Sequence, residues 1–266
     1  MHTLPTLPLP SPVRAGLRAI ALLCLWTMGL AAGPARAEED GWARTLREHR
    51  TSTGVRYPAV AAAKPLDAYL ASLATAVEPT EPAAKMAFWI NAYNALTVDL
   101  VADNWPLGSI RDLDGGQPWK RRSFVVAGRS ITLDHIEHQI LRPMGDPRVH
   151  AALNCASRGC PPLAAAPFTA AGLNAELEAV TQAWIRGGGA RLNRTTKQLE
   201  LSAIFDWFGE DFARSPAPPV PGLTPKASAI AGFVARYSAP EEAAALRAGG
   251  YALRTLPYDW SVNLAR

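Results

Sequence analysis

Lys85-Met86-Ala87-Phe88-Trp89-Ile90-Asn91-Ala92-Tyr93-Asn94-Ala95-Leu96-Thr97-Val98-Asp99-Leu100-Val101 carries apolar side chains on nearly every face of a helical wheel. A helix that is apolar all round lies buried, with other elements packed on several sides of it. Counting Asn91, Asn94, Asp99 and Asp103, the run is too polar for a membrane span. The amides of Asn91 and Asn94 must be hydrogen-bonded, because leaving one buried and unpaired costs about 1–3 kcal/mol. They read as brackets that hold a loop, or as groups that orient an imidazole or donate to an oxyanion.

Upstream, Leu66, Tyr69, Leu70, Leu73 and Val77 recur at the spacing of a one-faced helix, and the segment 78–82 with two prolines ends it. Trp42 and Leu46 suit a shorter helix before that. Downstream, 123–134 reads as a hairpin turning at Gly128-Arg129. Asp134 with Glu137 resembles a capping box that opens a helix to Arg142, and His150 to Asn154 reads as a short strand. Leu173, Leu177, Val180 and Trp184 mark a helix stopped by three glycines at 187–189. A second hairpin over 191–201, an aromatic helix capped by Ser202, a proline-rich loop over 215–225 and a helix bearing Ile230, Phe233, Val234 and Tyr237 follow. Ser238 and Glu241 form another capping box, and Tyr258 to Asn263 reads as a last strand. Helices early and late with hairpins between them predict a single α+β domain over 38–266, helix-rich around a buried central helix, with a small, mostly antiparallel sheet.

Residues 1–37 read differently. Arg14 and Arg18 precede an apolar run from Ala19 to Ala32, and Ala35-Arg36-Ala37 supplies small residues at −3 and −1. That is the pattern of a cleavable signal peptide, so the expected location is periplasmic or secreted, with no stable membrane span after cleavage. The net charge of +4 is mostly an N-terminal effect. Three arginines lie before residue 38, leaving 24 basic against 23 acidic residues in the remainder. Nothing there points to nucleic acid. No glycine-rich phosphate loop precedes a helix, and no cofactor or metal set is expected.

The chemistry-bearing segment is His150-Ala151-Ala152-Leu153-Asn154-Cys155-Ala156-Ser157-Arg158-Gly159-Cys160-Pro161-Pro162-Leu163. A thiol becomes a nucleophile when a base or positive field favours its thiolate. His138 and His150 are the candidate bases for Cys155, with Glu137 or Asp134 as orienter and Asn91 or Asn94 polarising the substrate. On the predicted helix His138 points away from the inner stripe of Leu133, Ile136 and Ile140. A competing reading joins Cys155 to Cys160 in an oxidising compartment, which silences the nucleophile. The function classes are therefore a thiol-dependent acyl-transfer or amide-hydrolysing enzyme, a non-catalytic envelope protein binding a peptide, glycan or protein, and a thiol–disulfide exchanger. Asp206-Trp207 and Tyr258-Asp259-Trp260 read as packing groups with satisfied polar tips rather than as a sugar platform.

Five segments in order resemble the family catalogued as domain of unknown function 547: 87–96, Ile136-Glu137-His138 with Leu141-Arg142, 150–163, 201–212, and Tyr258-Asp259-Trp260. The resemblance implies one domain and an exported bacterial context. It carries no activity.

Overall fold

The central helix runs from Pro82 to Asp103, with 15 of its 22 residues buried. Its start is built by Glu81, whose carboxylate accepts from the backbone N–H groups of Ala83 (3.0 Å) and Ala84 (2.7 Å), with Pro82 at the first helical position. The computed structural model describes His2 and residues 40–265, and the signal-peptide reading lies outside the described residues. Residues 40–265 belong to one compact unit.

Around the central helix pack Gly41–His49, Tyr57–Ala63 and Asp67–Thr75, then the hairpin Ser123–Val126/Arg129–Thr132. Val126, Ile131, Leu133, Ile136 and Leu141 bring the hairpin and the segment after it into the same apolar core. A second core gathers Trp184, Phe205, Phe212, Phe233 and Tyr237 from the helices Leu173–Trp184, Ile204–Trp207, Gly209–Ala213 and Pro225–Tyr237. Trp184 and Phe205 stack at 4.8 Å between centroids, almost parallel at 7°. Strands Ala190–Asn193 and Gln198–Leu201 pair antiparallel, and Ala252–Thr255 joins in parallel. Among the described residues the β structure comprises the hairpins Arg50–Thr51/Gly54–Val55 and Ser123–Val126/Arg129–Thr132 and one three-stranded mixed sheet, an α+β arrangement with mostly antiparallel pairing. No helix among the described residues is long and apolar enough to cross a membrane.

Five local expectations are corrected. The Ser238 capping box does not form: Ala239 is the N-cap of the helix Pro240–Ala248, and the Ser238 hydroxyl donates to Val234 O at 2.9 Å. The first hairpin turns on Ala127-Gly128, both at positive φ (51° and 70°), so Arg129 already belongs to the returning strand. Thr132 rather than Asp134 caps the next turn, accepting from His135 N–H at 3.1 Å. Beyond it, Ile136–Leu141 is a π-helix. His150 lies on a helical turn, Val149–Ala152, not a strand. Asp146 starts that turn, its carbonyl accepting from Val149 N–H and its carboxylate from Arg148 N–H. Finally, 258–263 forms no strand; it follows Ala252–Thr255 as a loop that makes one bridge, Val262 to Ser157.

Candidate functional site

The two cores meet at a cavity of about 360 Å³. Tyr93 and Leu153 face it from the first core, Ile204 and Phe208 from the second. Asp134, Glu137, His138, His150 and Cys155 all line it, so five of the seven residues singled out in the sequence converge.

The π-helix explains why Glu137 and His138 share this wall. A π-turn adds a residue to the repeat and shifts side chains that α-periodicity would separate. His138 lines the cavity while keeping Asp134 and Arg142, four residues to either side, as its neighbours. Arg142 Nη1 donates to His138 Nδ1 at 3.0 Å, and a guanidinium cannot accept. His138 is thus the Nε2–H tautomer, with that nitrogen 3.5 Å from Asp134 Oδ1. Burial lowers its pKa further than Asp134 raises it, so the ring is neutral and both its nitrogens are engaged. This arrangement leaves it no lone pair for a thiol.

His150 is the better placed imidazole. It is 4 % exposed and stacks on Phe208 at 4.1 Å. Its Nε2 lies 2.9 Å from Asp211 Oδ2, and Arg142 Nε donates to the same oxygen at 2.6 Å. Burial lowers the His150 pKa against the pull of Asp211. The hydrogen bond from His150, with Arg142 beside it, holds the Asp211 carboxyl well below the usual range. The two directions agree: a neutral imidazole donates Nε2–H to a carboxylate, leaving Nδ1 as the basic nitrogen. Burial pushes Glu137 up to about 7, although Tyr93 donates to it at 3.4 Å.

Cys155 is not a free thiol; it is bonded to Cys160. The bridge is half-buried in the cavity wall. The Tyr258 hydroxyl lies 3.1 Å from Cys155 Sγ and 3.2 Å from Cys160 Sγ, and the Ser157 hydroxyl lies 3.1 Å from Cys155 Sγ. Burial lifts the Tyr258 phenol to about 12, so it stays a proton donor at neutral pH. The Tyr258 ring lies so close over Gly159 that a Cβ there would sit 2.8 Å from it. Next to Cys155, Ala156 has φ 61°, a strained setting for a residue with a side chain.

Asn91 and Asn94 do not line the cavity. Asn91 accepts from Phe168 N–H (2.9 Å) and Trp42 Nε1–H (3.3 Å) and donates to Phe168 O (2.8 Å). Asn94 accepts from Asn154 N–H (2.8 Å) and donates to Ala152 O (2.9 Å), bracketing the chain between His150 and Cys155. Asn154 then accepts from Ala156 N–H and from Asn263, whose Oδ1 accepts from Tyr57. These are holding roles, so the substrate-polarising role is withdrawn for both. Asn94→Ala is expected to lower stability by about 2–3 kcal/mol, since it strands a buried N–H and a buried carbonyl. Urea unfolding would measure this.

Asp211, Arg142, Tyr258 and Ser157 were not singled out as site residues. All four stand in segments quoted for the family resemblance, and that was the signal they offered. Among the described residues no group of three His, Cys, Asp or Glu side chains could hold a metal ion.

No curated protein and no solved structure matches the chain. The family model described as "Protein of unknown function, DUF547" matches residues 77–185, from the start of the central helix through the π-helix and the cysteine loop to the end of the Leu173 helix. Three of the five segments that carried the resemblance fall within those residues, so the match supports the likeness to DUF547 over 77–185.

Proposed function

We propose that this is an exported thiol-dependent enzyme for acyl transfer or amide hydrolysis, resting with Cys155 masked by Cys160. The observation that carries the reading is the position of the bridge. It lies under two hydroxyls in the wall of the cavity that His150, hydrogen-bonded to Asp211, also lines, rather than in a core. Export rests on the pattern of residues 1–37.

In this reading a dithiol reductant attacks Cys160 Sγ. The S–S bond breaks and its electron pair goes to Cys155 Sγ, where Ser157 and Tyr258 stabilise the thiolate. The second reductant thiolate then releases Cys160 and closes the oxidised reductant. Cys155 attacks the substrate carbonyl, the C–N bond breaks, and the amine leaves with a proton from Glu137. Water attacks the acyl-thioester, its proton passes to the Glu137 carboxylate directly or by way of His150 Nδ1, and the C–S bond breaks with its electron pair returning to Cys155 as the acid leaves, so the cycle closes.

Alkylation tests this. Iodoacetamide at pH 7 should not label Cys155 before reduction. After mild dithiol treatment it should label Cys155 about tenfold faster than free cysteine. A rate no faster than free cysteine removes the enzyme. A bridge that resists mild dithiol favours the second reading, a non-catalytic envelope binding protein, which the intact bridge and the aromatic lining of the cavity also support.

A further inference from the structure

Trp42, Trp89 and Trp184 are 1 %, 0 % and 3 % exposed, as large aromatics in a well-filled core should be. Three other tryptophans break that pattern in one place. Trp207 is 47 % exposed, Trp119 and Trp260 are half-buried, and all three line the same cavity with Tyr258. They form a continuous shelf. Trp207 and Trp260 stack at 5.6 Å and 21°, Tyr258 contacts both at 4.8 and 4.5 Å, and Trp119 meets Trp260 edge-on at 5.9 Å. Leaving this much aromatic surface in water is unfavourable, so the shelf suits an occupant that covers it.

The surroundings define that occupant. Glu137 and Asp134 offer acceptors and Lys120 and Gln117 offer donors within the same cavity. A ligand must therefore have a flat apolar face and a polar rim of mixed donors and acceptors. A cationic ligand fits poorly, because the chain's own Arg111 already sits over the Trp260 ring at 4.8 Å. An extended peptide added to a sheet edge fits poorly too, because the lining residues come from helices and loops and none from a strand. A pyranose ring has the required faces and edges, and the volume suits one or two such rings.

We propose that the shelf of Trp119, Trp207, Tyr258 and Trp260 is a sugar-binding subsite, and that the ligand entering the cavity is a glycan. This deepens the enzyme reading by naming its substrate class, a glycan whose N-acyl group supplies the carbonyl, with cellobiose as a probe of the shelf alone, and it is tested with the bridge intact, so that thiol chemistry plays no part in the result.

The experiment is a titration of the oxidised protein with cellobiose and with N,N′-diacetylchitobiose, followed by tryptophan fluorescence. At least one should give a saturable change. Trp207→Ala should weaken that binding about tenfold or more while melting close to wild type, since this ring is exposed. Trp207→Tyr, which keeps a flat face, should restore most of it and covers the case in which the alanine variant folds poorly. No saturation by either sugar at tens of millimolar, or wild-type affinity in a folded Trp207→Ala protein, overturns the subsite. Loss of sugar binding with normal Cys155 alkylation would sink the subsite alone; normal binding with a sluggish thiol would sink the enzyme alone.

Discussion

Asp211→Ala should unfold at a temperature roughly 10 °C below wild type, corresponding to a loss of about 3–5 kcal/mol. One buried carboxylate holds three partners. It accepts from His150 and from Arg142, and Arg214 lies at 3.6 Å from its other oxygen. Truncation leaves the Arg142 guanidinium without its counter-ion and the His150 Nε2–H without an acceptor in an apolar wall of Phe208 and Phe212. The effect depends on pH with a definite sign. Because the native carboxyl titrates well below its unfolded value, its stabilisation is present in full above the unfolded pKa of about 4. It is lost as pH falls below that value toward the native one, because there the unfolded chain takes up the proton first. Wild type and variant should therefore differ most at neutral pH and converge in acid. Urea midpoints between pH 3 and pH 7, with steps of about one unit, would show this. A gap that is constant across the range would mean that Asp211 acts only by filling space.

Cys155→Ser should lower kcat/KM on an amide substrate by at least about 10³-fold in reduced protein, since a serine hydroxyl with a neutral histidine replaces a thiolate. Cys160→Ser is the informative companion. It cannot form the bridge, so its activity should equal that of reduced wild type and should no longer need a reductant. The pH profile separates the acid from the base. With its carboxyl at about 7, Glu137 loses its proton as pH rises past neutrality, so a rate that needs it as donor falls on the alkaline side. Glu137→Gln should remove that limb along with most of the rate. An unchanged profile in Glu137→Gln would assign the donor elsewhere, and full activity in Cys155→Ser would end the thiol reading.

Much of the site was legible because its chemistry is concentrated in short runs. The segment 150–163 advertised Cys155, His150 and the alternative bridge to Cys160, and the bridge is what the structure contains. The helical wheel of 85–101 correctly demanded bracketed amides, because a buried carboxamide has no stable alternative. What stayed hidden has specific causes. Asp211 is 61 residues from His150 and 69 from Arg142, and no local spacing links it to either. Trp207 and Trp260 were read as packing groups because exposure is a property of neighbours, not of residue type. His138 was placed off the inner stripe between Asp134 and Arg142, and it contacts both, but that this side of the segment lines a cavity is set by distant elements.

From the linear chain alone came the central helix and the proline break before it, the two hairpins at 123–134 and 191–201, the α+β class and the pair of cysteines close enough to join. These follow from contacts over a few residues, where the period of the side chains, proline and glycine act directly. Tertiary structure alone chose the tautomer of His138, the partner of His150, the neighbours of the two sulfurs and the rings left in water. Those outcomes depend on the dielectric and the geometry created when two separate cores close on one cavity, and no local pattern encodes that meeting.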